Sequence, residues 1–290
     1  MDSKKIVGAL EIAAGSLGFG FLGIFGKWAF QSGLSVGELL TYRFILAAII
    51  LWLGLLIFNR QKIFLCQRQV FISAGLGIFG YAVFATLYFT AIQGMSVGLA
   101  ALLLYTYPFW VSVLSHIFLK DKLSGAQWLV LLIALLGVNL LLWGQFQISD
   151  LGAVAAGLGS AITYAAYILI SARYQKNVLP ISSSLYVITA AALALAAFHR
   201  PRLELMSQMN SYQWAIIGGV AIISTIFPMT MILSGLQKIR SSQAALVSML
   251  EPVTAAVVAA FIFHESMTSL QILGAVLILI CLMISILKKH

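Results

Sequence analysis

The sequence predicts an all-α integral membrane protein, with ten transmembrane helices in two inverted five-helix repeats. Three observations carry this. Apolar runs of about 20 residues, the length that crosses a hydrocarbon core, recur along the 290-residue chain, which is 62% hydrophobic and only 9% charged. The basic residues fall mainly on alternate connections between these runs. The chain also matches itself at one constant offset of 144 residues.

The runs cover residues 6–28, 38–58, 70–91, 96–118, 126–144, 151–172, 181–198, 213–235, 242–263 and 269–287. The first lacks a small-residue cleavage site and a second run follows closely, so it reads as a retained helix and not a signal peptide. The connections are short, which leaves no soluble domain on either side. Lys4, Lys5, Arg60, Lys62, Arg68, Lys120, Lys122, Arg173, Lys176, Lys238, Arg240, Lys288 and Lys289 occupy one set of alternating connections. Arg200 and Arg202, with Lys27 and Arg43 at helix ends, make up the other. Thirteen of seventeen basic residues therefore share a side, and the positive-inside rule makes that side, with both termini, cytoplasmic. Trp28, Trp128, Trp143 and Trp214 sit near helix ends, as an aromatic belt places them. The net charge of +9 is spread over these connections, where it sets topology; no nucleic-acid partner is expected. Cys66 and Cys281 stand in a basic loop and in the last run, a pair that supports neither a disulfide framework nor a metal site.

At the 144-residue offset Gly8-Ala9 meets Gly152-Ala153, Tyr42 meets Tyr186, Gln93 meets Gln237, Pro108 meets Pro252, Asp121 meets Glu265 and Gln127 meets Gln271. Leucine and alanine coincide by chance in apolar sequence, whereas proline, glutamine and acidic matches at one offset do not. The expected domains are residues 1–144 and 145–290. Each holds five spans, an odd number, so the second half enters the membrane inverted relative to the first. Inverted repeats are an architecture of secondary transporters, whose site lies near the midplane at the repeat interface.

The stretch "LEPVTAAVVAAFIFHESMTSLQILGAVLILI", its first-half echo "YPFWVSVLSHIFLKDKLSGAQWLVLLIALLGVNLL", "FGKWAF" and "TYRFILAAIIL" resemble the EamA-type domain of the drug/metabolite transporter superfamily. The resemblance spans nearly the whole chain as two tandem domains. It implies a bacterial-type inner (plasma) membrane exporter of small metabolites, most often amino acids. It also implies a central cavity between the halves, built largely by the first, third, fourth, sixth, eighth and ninth helices. The halves differ in chemistry: Tyr107 and Asp121 stand where the second has Glu251 and Glu265.

Glu251 is the most costly residue in the pattern. A carboxylate at bilayer depth costs about 2.5–3.5 kcal/mol on insertion scales and almost always faces a bundle interior or cavity. Pro252 beside it removes a backbone donor and kinks the helix. Two readings stay open, a polar point in a cavity wall or a helix-locking pair. Gly8, Glu11, Gly15, Gly18, Leu22 and Gly26 share one helix face, and glycines allow close approach, so Glu11 points into the bundle. The related small multidrug transporters carry a first-helix glutamate, which the resemblance extends to Glu11 as a proton or cation site; an anchoring acid is the other reading. Tyr81, Tyr88, Tyr105, Tyr107, Tyr164 and Tyr167 offer apolar surface with hydroxyl handles, suited to amphipathic or aromatic solutes. Pro108 and Pro228 join Pro252 as kinks or hinges. Lys27 and Arg43 either snorkel to water or form an outer gate with Glu38. Asp121 and Glu265 read as helix-end anchors.

No GxxxxGK[ST] loop and no HExxH pair occurs, so neither an ATPase nor a zinc hydrolase is indicated, and no cofactor or metal is called for. His116, His199, His264 and His290 are scattered. The expected partners are a small-molecule substrate, the lipid bilayer and, in one reading, protons. Four function readings follow. The first is a secondary exporter of amino acids or related metabolites by alternating access. The second is a proton-coupled exporter of cationic amphiphiles that uses Glu11 and Glu251. From another class come an intramembrane enzyme, for which no nucleophile–base cluster is visible, and a membrane subunit without transport of its own.

Overall fold

In hydrocarbon a backbone N–H or C=O finds no water, so each apolar run must close its own hydrogen bonds as a helix. The computed structural model describes residues 3–119, 124–144, 150–202, 204–264 and 267–287. Among the described residues there are helices and no strands. The long helices are α1 Ser3–Gln31, α2 Val36–Phe58, α3 Gln67–Gly94, α4 Val97–Leu119, α5 Gly125–Leu141, α6 Leu151–Tyr174, α7 Pro180–His199, α8 Ser211–Leu236, α9 Ser241–Phe263 and α10 Ser269–Leu287. Eight are long and apolar enough to cross a bilayer; α5, with 17 residues, and the Ser269–Ser285 stretch of α10 are shorter apolar helices. Asp121 and Glu265 lie outside the described residues.

Four departures from regular helix come in pairs related by the 144-residue offset. α4 breaks at Tyr105 and Thr106, and α9 breaks at Met249. α3 carries a π segment over Leu76–Ala82, and α8 carries one over Ile222–Ile226. Proline explains three of the four, since its ring clashes with the carbonyl four residues back. Those positions are Leu104 for Pro108, Ser248 for Pro252 and Ser224 for Pro228, each at the end of a helical segment or within a π segment. The fifth departure has no counterpart. α1 is interrupted at Phe21, between Ser3–Gly20 and Leu22–Gln31, whereas α6 runs unbroken through the equivalent Ala165.

Packing follows the same offset. α1 lies on α8 and α9 of the other half, as α6 lies on α3 and α4; α2 packs on α7, α4 on α9 and α5 on α10. Small residues permit the close approaches. A Cβ on Gly18 would stand 2.7 Å from the Ile223 carbonyl, and one on Gly235 would stand 2.7 Å from that of Gly8. Tyr42 and Tyr186, a matched pair, each donate a hydroxyl to a loop carbonyl of the opposite half: Arg202 O at 2.6 Å and Ile63 O at 2.9 Å.

These contacts sort the helix ends onto two faces. The basic face carries Arg60, Lys62, Arg173, Lys176, Lys238 and Arg240 and is densely hydrogen-bonded. There Gln237 Nε2 donates to Gln175 O at 2.9 Å and Val178 O at 2.6 Å, and Gln175 Nε2 donates to Ser73 Oγ at 3.1 Å. Ser183 donates to Gln175 Oε1, and Lys238 Nζ lies 2.5 Å from both carboxylate oxygens of Glu11. The opposite face carries the Glu38–Arg202 ion pair at 3.2 Å and the Gln213 Nε2 bond to Ser32 O at 2.9 Å.

The α5–α10 crossing gives a direct test of the packing. A Cβ on Gly274 would lie 2.5 Å from the Gly137 carbonyl and 2.6 Å from the Leu141 nitrogen, both backbone atoms that cannot rotate aside. Gly274→Ala is expected to cost about 1–3 kcal/mol, the usual price of overpacking, read as a lower thermal midpoint in detergent. Gly54→Ala, where a Cβ meets nothing within 4 Å, is expected to be neutral or to stabilise by up to about 1 kcal/mol through lower chain entropy.

Candidate functional site

A cavity of about 610 Å³ opens between the two halves, within the usual range for small-molecule sites. Its wall is built from the outer part of α1 (Leu22 to Phe30), the start of α2 (Leu39, Leu40, Arg43) and the later part of α3 (Tyr81 to Ile92). The first half of α4, Tyr164 of α6, α9 from Glu251 to Phe263, and the start of α10 complete it. Apart from Tyr164 and Glu251, which lie near mid-helix, these segments belong to the halves of the helices that end on the opposite face. The cavity therefore runs from the level of Tyr164 and Glu251 toward exposed residues at that face, such as Phe30 and Val97.

The sequence candidates divide cleanly. Tyr81, Tyr88, Tyr105, Tyr107, Tyr164, Glu251 and Pro252 line the cavity together with Lys27 and Arg43. Glu251 is positioned by the break at Met249, which the proline four residues beyond Ser248 imposes. Its Oε1 accepts a hydrogen bond from the Tyr105 hydroxyl at 3.2 Å. Tyr105 itself sits at the matching break of α4, so the two interruptions bring donor and acceptor together across the halves. Tyr167 stands behind the wall, edge-on to Tyr81 at 5.8 Å and stacked on Tyr164 at 5.9 Å. Tyr107 meets Tyr164 edge-on at 4.8 Å, and Phe84 contacts Tyr164 at 4.8 Å. Edge-to-face and offset pairs of this kind stabilise by about 0.5–1.5 kcal/mol each beyond burial.

Glu11 is not among the residues lining the cavity. It lies on the basic face and is held by Lys238, which also bonds Ser234 Oγ at 2.8 Å. Pro108 and Pro228 likewise stand away from the cavity, in the helix interruptions of α4 and α8. Glu38, which one reading set as a gate with Lys27 or Arg43, is bound by Ser35 and Arg202. Ser35 caps α2, and its backbone N–H and hydroxyl bind Glu38 Oε2 at 2.9 and 2.8 Å. This directs the carboxylate back over the helix start, where Arg202 meets it. Lys27 places its ammonium 3.7 Å from the centre of the Phe263 ring, within cation–π range.

Arg43 departs most from expectation. Snorkelling requires a path to water, yet Arg43 is only 3% exposed. It faces the cavity, has no ion pair among the described residues, and its Nε is a buried donor without an acceptor. Buried donors are nearly always satisfied, and arginine keeps its charge in proteins. Arg43 thus places a cationic donor in the cavity wall. Sequence reasoning read Arg43 as a helix-end cation because the α2 boundary alone does not give its surroundings.

The comparisons with known proteins agree with this architecture. A model of the EamA-like transporter family matches residues 6–143 and 151–287. The chain is 27% identical over 287 residues to the uncharacterized transporter YcbK of Bacillus subtilis (strain 168), covering 93% of this chain and 90% of that protein. An uncharacterized transporter of Archaeoglobus fulgidus is 28% identical over 205 residues, covering 71% of this chain and 72% of its own length. A solved crystal structure superposes with a TM-score of 0.80 over 95% of this chain and 94% of its own, at 16% identity, which speaks for the fold alone. With the family model covering both halves, the chain is a multi-pass membrane protein that belongs to the EamA-like transporter family.

Proposed function

We propose that the protein is a secondary exporter of amino acids or closely related zwitterionic metabolites, working by alternating access with its basic face toward the cytoplasm. One observation carries the reading: a single cavity presents the Arg43 guanidinium, whose Nε has no acceptor, and the Glu251 carboxyl among five tyrosines. A guanidinium fork matches a carboxylate in a bidentate fashion. A carboxyl group with a phenolic neighbour accepts from an ammonium. An α-amino acid supplies both groups, and Tyr81, Tyr88, Phe84 and Phe89 give its side chain an apolar, polarisable wall. The cavity ends at one face while the other is closed by the Gln175, Gln237 and Glu11–Lys238 contacts, as expected for one state of an alternating carrier.

The cationic-amphiphile reading fits these contacts less well. Arg43 repels a cation that has no acid group of its own, and Glu11, one of its two exchange sites, is bound to Lys238. The basic residues of the connections support a cytoplasmic basic face, which makes the cavity seen here outward-open.

Counterflow in proteoliposomes preloaded with mixed amino acids, with and without a pH gradient, tests the proposal. Uptake of one or a few labelled amino acids is expected; exchange of lipophilic amines in their place would overturn it. Arg43→Gln and Glu251→Gln are each expected to lower that exchange by roughly 10- to 100-fold, as loss of a charge-assisted hydrogen bond of about 1.5–3 kcal/mol predicts. Arg43→Lys keeps the charge without the fork, so it is expected to fall between Arg43→Gln and the native protein. Native rates in Arg43→Gln would remove the carboxylate contact from the mechanism.

A further inference from the structure

The two faces differ in one matched pair of elements. On the basic face, Gln237 at the end of α8 donates to the carbonyls of Gln175 and Val178 in the turn after α6, which closes α6 onto α8. The 144-residue offset maps Gln237 onto Gln93 at the end of α3, and the turn from Gln175 to Val178 onto the turn from Gln31 to Leu34 after α1. The acceptors in this contact are main-chain carbonyls, so the equivalent turn offers them whatever its side chains. The donor is a glutamine in both halves.

On the opposite face the equivalent contact is not made. Gln31 and Gln93 are both exposed, and no hydrogen bond joins Gln93 to the turn after α1. The Leu22–Gln31 segment, set apart from the rest of α1 by the interruption at Phe21, has no substantial packing contact with Val83–Gly94 of α3. The cavity fills the space between them: Leu22, Ile24 and Phe30 line one side, and Tyr88, Phe89 and Ile92 the other. One member of the matched pair is thus closed, and the other is held apart by the width of the candidate site.

We infer that Gln93 is the latch of the opposite face, closing onto the carbonyls of Gln31 and Leu34 when Gln237 lets go of Gln175 and Val178. The inference rests on the alternating-access reading above and names the contact that each half exchanges. The interruption at Phe21 is the hinge, since it sets the Leu22–Gln31 segment off from the α1 stem that Gly15 and Gly18 hold against α8. The latches are unequal. Residues equivalent to Glu11 and Lys238 are Ala155 and Gly94, so the ion pair beside the Gln237 latch has no equivalent beside Gln93. Closure of the basic face is accordingly the favoured resting state, the state seen here.

A cavity cysteine reads the equilibrium. Ala256→Cys, which lines the cavity, is introduced into full-length protein carrying Cys66→Ser and Cys281→Ala. A membrane-impermeant maleimide is then applied from each face, to intact cells and to inverted vesicles. Gln237→Leu is expected to lower labelling from the opposite face and raise it from the basic face, by roughly two- to tenfold for the net loss of one or two hydrogen bonds. Gln93→Leu is expected to move both readings the other way. Gln237→Glu and Gln93→Glu, which keep the shape but lose the amide donor, are expected to repeat the two shifts. Shifts in the same direction for both positions, or none in either, overturn the latch. If Ala256→Cys labels from one face only in every variant, then alternating access itself fails, a result separate from failure of the latch.

Discussion

The packing of the first helix of each half against the third and fourth helices of the other is the constraint on which this structure depends. In a membrane, lipid tails are as apolar as leucine, so helices associate through close van der Waals contact and internal polar bonds and not through burial from water. Gly8, Gly15 and Gly18 let the α1 stem lie directly on the α8 backbone, and Ser224 Oγ adds a bond to Gly18 O at 2.8 Å. In the matching contact, a Cβ on Gly94 would stand 2.6 Å from that of Ala153. Because each half is completed by the other, neither buries its small-residue stripes alone. The interface between halves is then a place where a cavity opens without loss of either bundle.

Polar groups at that interface are expensive, and the structure confines them. Serine and threonine hydroxyls along the helices mostly bond their own backbone, as Ser16 does to Ile12 O at 2.8 Å and Ser112 to Pro108 O at 2.8 Å. Trp52 and Thr189 satisfy each other across α2 and α7 at 3.0 Å. The hydroxyls of Thr41, Tyr107, Ser115 and Ser171 are also buried without a partner, but Arg43, whose Nε is buried without an acceptor, differs from them in carrying a charge. In the proposed function, a group of this cost at the cavity wall serves to bind the substrate. Glu251 differs in having a partner, the hydroxyl of Tyr105, which orients it while leaving the carboxyl at the cavity surface.

Helix interruptions connect the packing to the site. The breaks at Tyr105 and Met249 are equivalent under the repeat, yet one presents a tyrosine and the other leads into Glu251. A symmetric backbone thus carries an asymmetric pair of side chains that meet across the pseudo-equivalent interface. The interruption at Phe21 breaks the symmetry of the backbone itself, and the two faces are also unlike: one carries the Gln237 bonds, the other the cavity.

The sequence by itself determined the helices, the sidedness of the charges and the two-fold repetition, because apolar length, basic loops and constant spacing are local properties of the chain. It also singled out Glu251 and the tyrosines, since a costly or conspicuous residue in an apolar run is visible without coordinates. Only the tertiary structure decided which of these residues face one another. Glu11 is indistinguishable from Glu251 as an acid in a helix, but Lys238, 227 residues away, pairs with it, and Glu38 meets Arg202 and not the cations nearest in sequence. Arg43 reads from sequence as a helix-end cation and becomes a cavity residue only when α2 is seen against its neighbours. The physical reason is the same throughout: hydropathy and spacing set where a helix lies, whereas the rotation and crossing of helices from opposite halves set which side chains share a site.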